Sequence, residues 1–555
     1  MEHSLLHGLD LLGQITALGG AFFVLGLLRP AGRKFAGDAG DKELQRAMLA
    51  ATTRWVILGT LGAALATAVG LLVDVAETQI ATIFGGVPLD LIGKFAFHTH
   101  VGRLSLMRIG ILLLTAAVAK TRWAGKWWLV LAGSLTGVVL TGMVSHAAAQ
   151  PSGRAGMLAA QMAHITGAAL WVGVLIHLLA ARRAVEGPAG SAGIGLVAEI
   201  VRRFSPVALA ITSLLGISGV WMICRFLSEP SAVPTSAYGL TMVVKVMVLT
   251  PAIYAGWMNF RVIRPALQRL ACRDTKTQAN VADEGEKQGL LQRFGRTLEL
   301  EVTSGVMVIT VAGILASVSP PGEAGAFRLT ATQQEALHHP HLPVTNIADP
   351  ATFYGAPERT AADLRYAEFT HNWSGVMVCL LGLGWLAQSA PGKLGKWASR
   401  GWPLLLIPFA LFVAVAADPE VWWYREVTPM QVLRDPQLLE HQLGAVLILI
   451  LAWLGWRQHA KLDSQGPMRY ALPIVLTAGG ILLLGHAHST LNTTEDLQNM
   501  INVQHAVFGM FIITGGVVNW LVVRRLFPSR LGNVIWPSMV IGLGLFMAFC
   551  YRETM

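Results

Sequence analysis

Charged side chains are scarce in this chain. Of its 555 residues only 13% are Asp, Glu, Lys or Arg, against 54% apolar, whereas a soluble protein carries roughly 25% charged residues. With a mean hydropathy of +0.54, that excludes an ordinary soluble domain and points to a polytopic membrane protein. Cysteine is almost missing too. Cys224, Cys272, Cys379 and Cys550 are the whole set, and none falls in CxxC or CxxCH. A disulfide framework, a thiolate zinc site and covalent haem attachment are therefore without support. No nucleophile elbow, phosphate loop or paired-carboxylate motif occurs, which argues against hydrolases and ATPases. The net charge of +10 is not gathered into a basic patch with aromatics, so nucleic acid is not the expected partner. The first apolar run lacks a basic leader and a small-residue cleavage motif, and reads as a retained helix.

What the chain has in abundance is long apolar runs. A membrane-spanning helix needs about 20 mostly apolar residues, and fourteen stretches qualify: 9–28, 52–75, 101–119, 127–149, 158–181, 204–227, 241–263, 298–318, 371–389, 402–418, 441–456, 470–489, 503–523 and 533–551. The expected fold is all-α, with the short runs 402–418 and 441–456 the weakest members. Placing both termini outside puts 30 of the 42 Lys and Arg residues on the cytoplasmic side, as topology rules require. The lipid bilayer is then the chain's first partner. Residues 1–318 form an eight-helix region with a polar cytoplasmic linker at 264–297. Residues 319–370 form an outer connecting segment, and residues 371–555 a six-helix region.

With that orientation, fourteen of the sixteen histidines lie at or near the outer face; only His177 and His459 lie inside. Imidazole suits copper, zinc and iron. A lone interfacial histidine is usually a hydrogen-bonded helix end, but the set as a whole points to metal or haem. His146 ends one span and His164 lies in the next; His486 and His488 end a later span and His505 opens its successor. The offsets His100 to His441, His146 to His486 and His164 to His505 are 341, 340 and 341 residues, which reads as an internal repeat of a histidine-bearing helical bundle. His486 and His488 point about 200° apart on one helix, so both serve one ion only if the helix ends between them. The candidate metal ligands are His146, His164, His486, His488, His505, His441, His371, His100, His98 and Met143. Thioethers select Cu(I), although the plain reading of Met143, Met157, Met162, Met500 and Met510 is core packing. His338, His339 and His341 form either a copper-collecting loop or a solvated one.

Ionisable residues inside spans suggest function, yet Asp–Arg pairs can be structural; Asp10, Asp74, Glu77, Arg103, Arg108 and Lys245 fall in this class. Glu299 and Glu301, in LELEV, sit at the cytoplasmic entry of the eighth span, either as an ion exit or, the favoured reading, as snorkelling helix-end residues.

Over residues 1–325 the chain resembles the copper resistance D family (CopD/PcoD). The resemblance rests on THVGRLSLMRIGILLL, VSHAAAQPSGRAGMLAAQMAHITGAALWVGVLIHLL, RRFSPVALAITSLLGISGVW, SAYGLTMVVKVMVL followed by GWMNF, and LELEVTSGVMVITVAGILASVSPP. It implies a bacterial inner-membrane protein that handles copper, often with a periplasmic partner of the CopC type, and makes His146 and His164 the candidates in the eight-helix region. Residues 326–555 match no family pattern.

Three readings compete at this point, the plainest being an assembly subunit whose histidines are structural. One is copper homeostasis: outer His and Met groups capture the ion and intramembrane polar groups pass it inward, with no enzymatic step. Another is a b-type cytochrome holding one haem b between His146 and His164 and one between His486 or His488 and His505, an oxidoreductase moving electrons from quinol to an acceptor or to Cu(II).

Overall fold

A backbone in hydrocarbon has no water to bond, so it must close its hydrogen bonds within helices, and the apolar runs of this chain do so. A computed structural model describes residues 2–35, 39–78, 87–149, 153–227, 229–274, 281–321, 328–353, 359–424, 427–460, 467–485 and 494–554. Among the described residues eleven helices are long and apolar enough to cross a membrane, two apolar helices are shorter, and Ala361–Ala387 is a further long helix. In chain order they are α1 (His3–Lys34), α2 (Ala39–Ala76), α3 (His100–Lys120), α4 (Lys126–Gly142), α5 (Arg154–Ala180), α6 (Ile194–Phe226), α7 (Ala237–Cys272) and α8 (Glu284–Leu315). They continue with α9 (Ala361–Ala387), α10 (Lys393–Ala416), α11 (Gln437–Arg457), α12 (Ala471–Leu484), α13 (Glu495–Val523) and α14 (Ser529–Phe549). Each of the fourteen expected runs overlaps one of these helices, and residues 486–489 of the twelfth run lie outside the described residues.

Helix ends depart from the hydropathy reading for local reasons. α2 and α8 begin well before their apolar runs, because DKELQRAMLA and EGEKQGLLQRF are rich in good helix formers that hydropathy cannot register. α4 stops early: Met143–Ser145 is a turn, and a separate short helix, His146–Ala149, follows. α3, α7, α9 and α13 each start behind a hydroxyl cap, with Thr99, Ser236, Thr360 and Thr494 accepting from the backbone N–H of Gly102, Gly239, Asp363 and Leu497. Such caps satisfy an otherwise unbonded N–H.

The apolar side chains turn outward as well as inward. Ile217 is 71% and Leu65 66% exposed, a surface suited to lipid. Between helices the contacts use small residues. A Cβ on Gly19 of α1 would lie 2.5 Å from the Gly173 Cα of α5, and one on Gly544 of α14 would lie 2.5 Å from the Cys379 N of α9. Sequential neighbours pack in both halves: α1 on α2, α2 on α3, α3 on α4 and α5 on α6, then α9 on α10, α10 on α11, α11 on α12 and α13 on α14. The closures differ. α1 also packs on α4, α5 and α8, whereas α9 packs on α14. α7 meets α13, and Leu240, Val244, Val311 and Ile314 share one apolar cluster with Leu497, Met500 and Ile501. Glu299 of α8 binds both Arg182 and Arg524, tying the end of α13 to the first eight helices.

Candidate metal centre

The histidines of the eight-helix region are each bonded to a different element. His146 Nε2–H donates to the Ala316 carbonyl just past α8, at 2.8 Å. On α5, His164 Nδ1 lies 3.0 Å from Ser218 Oγ of α6. That hydroxyl donates its own proton to the Leu214 carbonyl at 2.7 Å, so it accepts from His164 and leaves the ring's lone pair on Nε2. Lys245 is within electrostatic reach of His164, and an ammonium there opposes a cation at this ring. His98 and His100 are exposed on either side of the Thr99 cap, and Met143 is exposed beyond the end of α4.

A separate polar column descends from His3 and His7. His3 Nδ1 is 3.0 Å from Asp74 Oδ1, the His3 and His7 rings stack at 6.5 Å, and His7 is within electrostatic reach of Arg108 and His146. Further along α1 lies the buried pair Asp10–Arg108 at 3.3 Å. Gln14 donates to Asp10 at 2.9 Å and to Thr141 at 2.8 Å, and Arg108 donates to Thr141 at 3.1 Å. His177, fully buried, donates from Nε2 to the Thr16 carbonyl at 2.8 Å and so joins α5 to α1.

The six-helix region brings a pair of the candidate ligands together. His371 of α9 and His505 of α13 have ring centroids 5.5 Å apart and perpendicular planes. Their orientation follows from the helix: each Nδ1–H donates to the carbonyl one turn back, Ala367 at 2.8 Å and Ile501 at 2.9 Å. That bond fixes the tautomer and puts the lone pair of both rings on Nε2, the arrangement that orients histidines for metal binding. Two imidazoles sharing one ion through nitrogens roughly 2 Å from it have centroids about 5 to 6 Å apart, and the pair fits that spacing. His441 of α11 is held differently: Nδ1–H donates to Asp418 Oδ1 at 2.7 Å while Gln442 donates to Asp418 Oδ2 at 2.8 Å. His486 and His488 lie outside the described residues. His338 Nδ1–H donates to the Gln334 carbonyl at 2.7 Å on the short helix Ala331–His338.

The segment after α14 closes over the His371–His505 pair. Tyr551, fully buried, stacks on His371 at 4.1 Å and meets His505 edge-on at 6.1 Å; Phe508 is 5.0 Å from His505. The segment is pinned by Glu368 Oε1, which accepts from the backbone N–H of Glu553 and Thr554 at 2.7 and 2.6 Å and from the Thr554 hydroxyl at 2.6 Å. Gln504 bonds both backbone groups of Arg552 at 2.8 Å, and Arg359 reaches Glu553 at 3.0 Å. Burial, with the Glu553 carboxylate beside it, pushes the Tyr551 phenol well above its ordinary range. Burial likewise pushes the Glu553 carboxyl up, and Arg359 offsets only part of that.

Among the described residues no group of three or more His, Cys, Asp or Glu is arranged to hold a metal ion; the His371–His505 pair is a two-imidazole arrangement. It does not suit haem. Tyr551 and Phe508 are packed against both rings, where a porphyrin between the two imidazoles would have to extend.

Residues 198–315 match the family model for copper resistance protein D. The stretch is a CopD segment. It runs from α6 through α8, a narrower region than the resemblance over residues 1–325. The match associates this multi-pass membrane protein with copper resistance. No curated protein and no solved structure matches the chain. The CopD segment contains no histidine; it contributes Ser218 to His164 and ends beside the Ala316 carbonyl that His146 binds.

Three partners escaped the sequence reading. Tyr551 sits in a short polar stretch at the end of the last apolar run, and Asp418 and Ser218 lie 23 and 54 residues from the histidines they bind, at spacings no helical period connects. Glu301 is a correction. It does not snorkel: α8 starts seventeen residues earlier, and the carboxylate is buried at 4% exposure.

Proposed function

We propose that this chain is a copper-handling protein of a bacterial inner membrane, with both termini periplasmic, that takes copper at the His371–His505 pair and moves it toward the cytoplasm. The observation that carries the reading is the meeting of two imidazoles on different helices, both with Nδ1 committed to a backbone carbonyl. The match to copper resistance protein D supports copper as the metal. The His3, His7 and Asp74 column above the Asp10–Arg108 network gives polar groups along the first bundle and favours passage over storage. A periplasmic CopC-type carrier is the fitting donor. His441, oriented by Asp418, is a secondary station.

Metal analysis of the purified chain, with an absorption spectrum before and after dithionite, tests this. The expected result is bound copper without a Soret band, and a loss of copper affinity of about 10-fold or more, the scale of losing a metal's orienting partners, in both His371→Ala and His505→Ala. Wild-type affinity in both variants overturns the assignment. A Soret band with sharp reduced peaks replaces it with the cytochrome reading.

A further inference from the structure

Glu301 is a carboxylate inside a membrane helix with no ion-pair partner among the described residues. Trp171 Nε1–H donates to its Oε1 at 3.0 Å and Asn259 Nδ2–H to its Oε2 at 2.9 Å. Gly256 makes the approach possible, since a Cβ there would lie 3.1 Å from Oε1. Both donors are neutral. The charged and titratable groups on the surrounding helices are engaged elsewhere. Glu299 on α8 binds Arg182 and Arg524, and His177 on α5 binds the Thr16 carbonyl of α1. Lys245 on α7 lies by His164, Arg261 on α7 is exposed, and Asp10 on α1 pairs with Arg108. An uncompensated carboxylate in a membrane interior is costly, and such groups mark proton and ion pathways.

The partner on the other side of Asn259 can serve either charge state. Thr297 Oγ1 donates to Asn259 Oδ1 at 2.5 Å, and carbonyls of Phe294 and Arg293 lie 3.0 and 3.3 Å from the same hydroxyl. An amide carries a donor and an acceptor at nearly equivalent positions. With Nδ2 toward Glu301 it serves the carboxylate. Turned by half a revolution, Oδ1 accepts from a protonated Oε2, Nδ2 donates to the Thr297 hydroxyl, and that hydroxyl redirects its proton to the Phe294 carbonyl. Every group stays bonded in both states. The backbone adds an independent sign. Trp171 and Asn259 lie in the π-helical stretches Ala169–Gly173 and Asn259–Ile263, and such bulges inside α-helices gather at functional sites.

We propose that Glu301 is a proton-binding site of the CopD segment, switched between carboxylate and carboxylic acid by a half-turn of the Asn259 amide. One O–H bond forms on Oε2 and no other covalent bond changes. Thr297, one turn nearer the arginine-bearing end of α8, is the side from which the proton arrives. The site is independent of the copper reading and stands or fails separately.

Infrared difference spectroscopy on the full chain in lipid nanodiscs, titrated between about pH 4 and 9 so as to bracket ordinary carboxyl values, reads the protonation directly. The expected result is a carboxylic-acid carbonyl band that titrates, shifts in deuterated water and is missing in Glu301→Gln. Trp171→Phe keeps the acid but removes the donor to Oε1, and moves the band's frequency. Asn259→Leu moves its titration midpoint. A spectrum in which neither Glu301→Gln nor Trp171→Phe alters any carboxylic-acid band overturns proton binding at Glu301. A midpoint unmoved by Asn259→Leu overturns the amide switch.

Discussion

A guanidinium enclosed by helices is a costly buried charge unless a carboxylate and hydroxyls stay within reach, and Arg108 has Asp10 at 3.3 Å and Thr141 at 3.1 Å. Deleting one member leaves the other as an uncompensated buried charge, which costs about 3–5 kcal/mol. Arg108→Met and Asp10→Leu are therefore each expected to lower the thermal unfolding temperature in detergent, and the double variant to recover most of the loss; a double variant no better than the worse single one would count against a coupled pair. Sequence alone had marked Asp10, Asp74 and Arg108 as ionisable groups in or near spans. It could not pair them, because the partners stand on helices some hundred residues apart. The same limit applies to the histidines. Adjacent hairpin helices suggested His146 with His164, but the direction of a ring is set by which acceptor it finds, and these two found α8's end and α6. His371 and His505 were both named as candidates, yet 134 residues separate them and no periodicity predicts their contact.

Element boundaries were legible wherever an apolar run coincided with a helix, and less so where α2 and α8 extend as polar helices. The crossing of α9 and α14 was not readable at all, since it depends on which glycines face one another. Gly544→Val places bulk where a Cβ already meets the Cys379 backbone at 2.5 Å. Overpacking of this kind costs about 1–3 kcal/mol, seen as a lowered unfolding temperature; no change would mean the helices do not cross there. The segment 550–554 carries its own pH response. Burial raises the folded-state pKa of Glu553 above its ordinary 4.5, so the docked segment binds a proton more readily than the released one. Glu553's contribution to docking is then largest below that ordinary value and is lost as pH rises through the raised one. Hydrogen exchange at residues 551–554, corrected for its intrinsic pH dependence, should report easier opening across that window, and Glu553→Gln should flatten the trend. Opening that becomes harder with rising pH would contradict this.

Across the whole molecule, the CopD segment occupies the middle of the chain and touches both flanks. Through α7 and α8 it packs on α13, and α13 carries His505, while α5, with His164, packs on α6. The segment thus sits between the two histidine-bearing regions without supplying a histidine of its own, and places the Glu301 carboxylate in its interior. Copper captured at the second bundle is the claim on which the functional account turns. X-ray absorption at the copper edge of the loaded, full-length protein tests it most directly. The account predicts imidazole nitrogens at roughly 2 Å, the usual metal–histidine distance, with the imidazole signal diminished in His371→Ala and in His505→Ala. A shell made only of sulfur, or an imidazole signal that both variants leave intact, would contradict it.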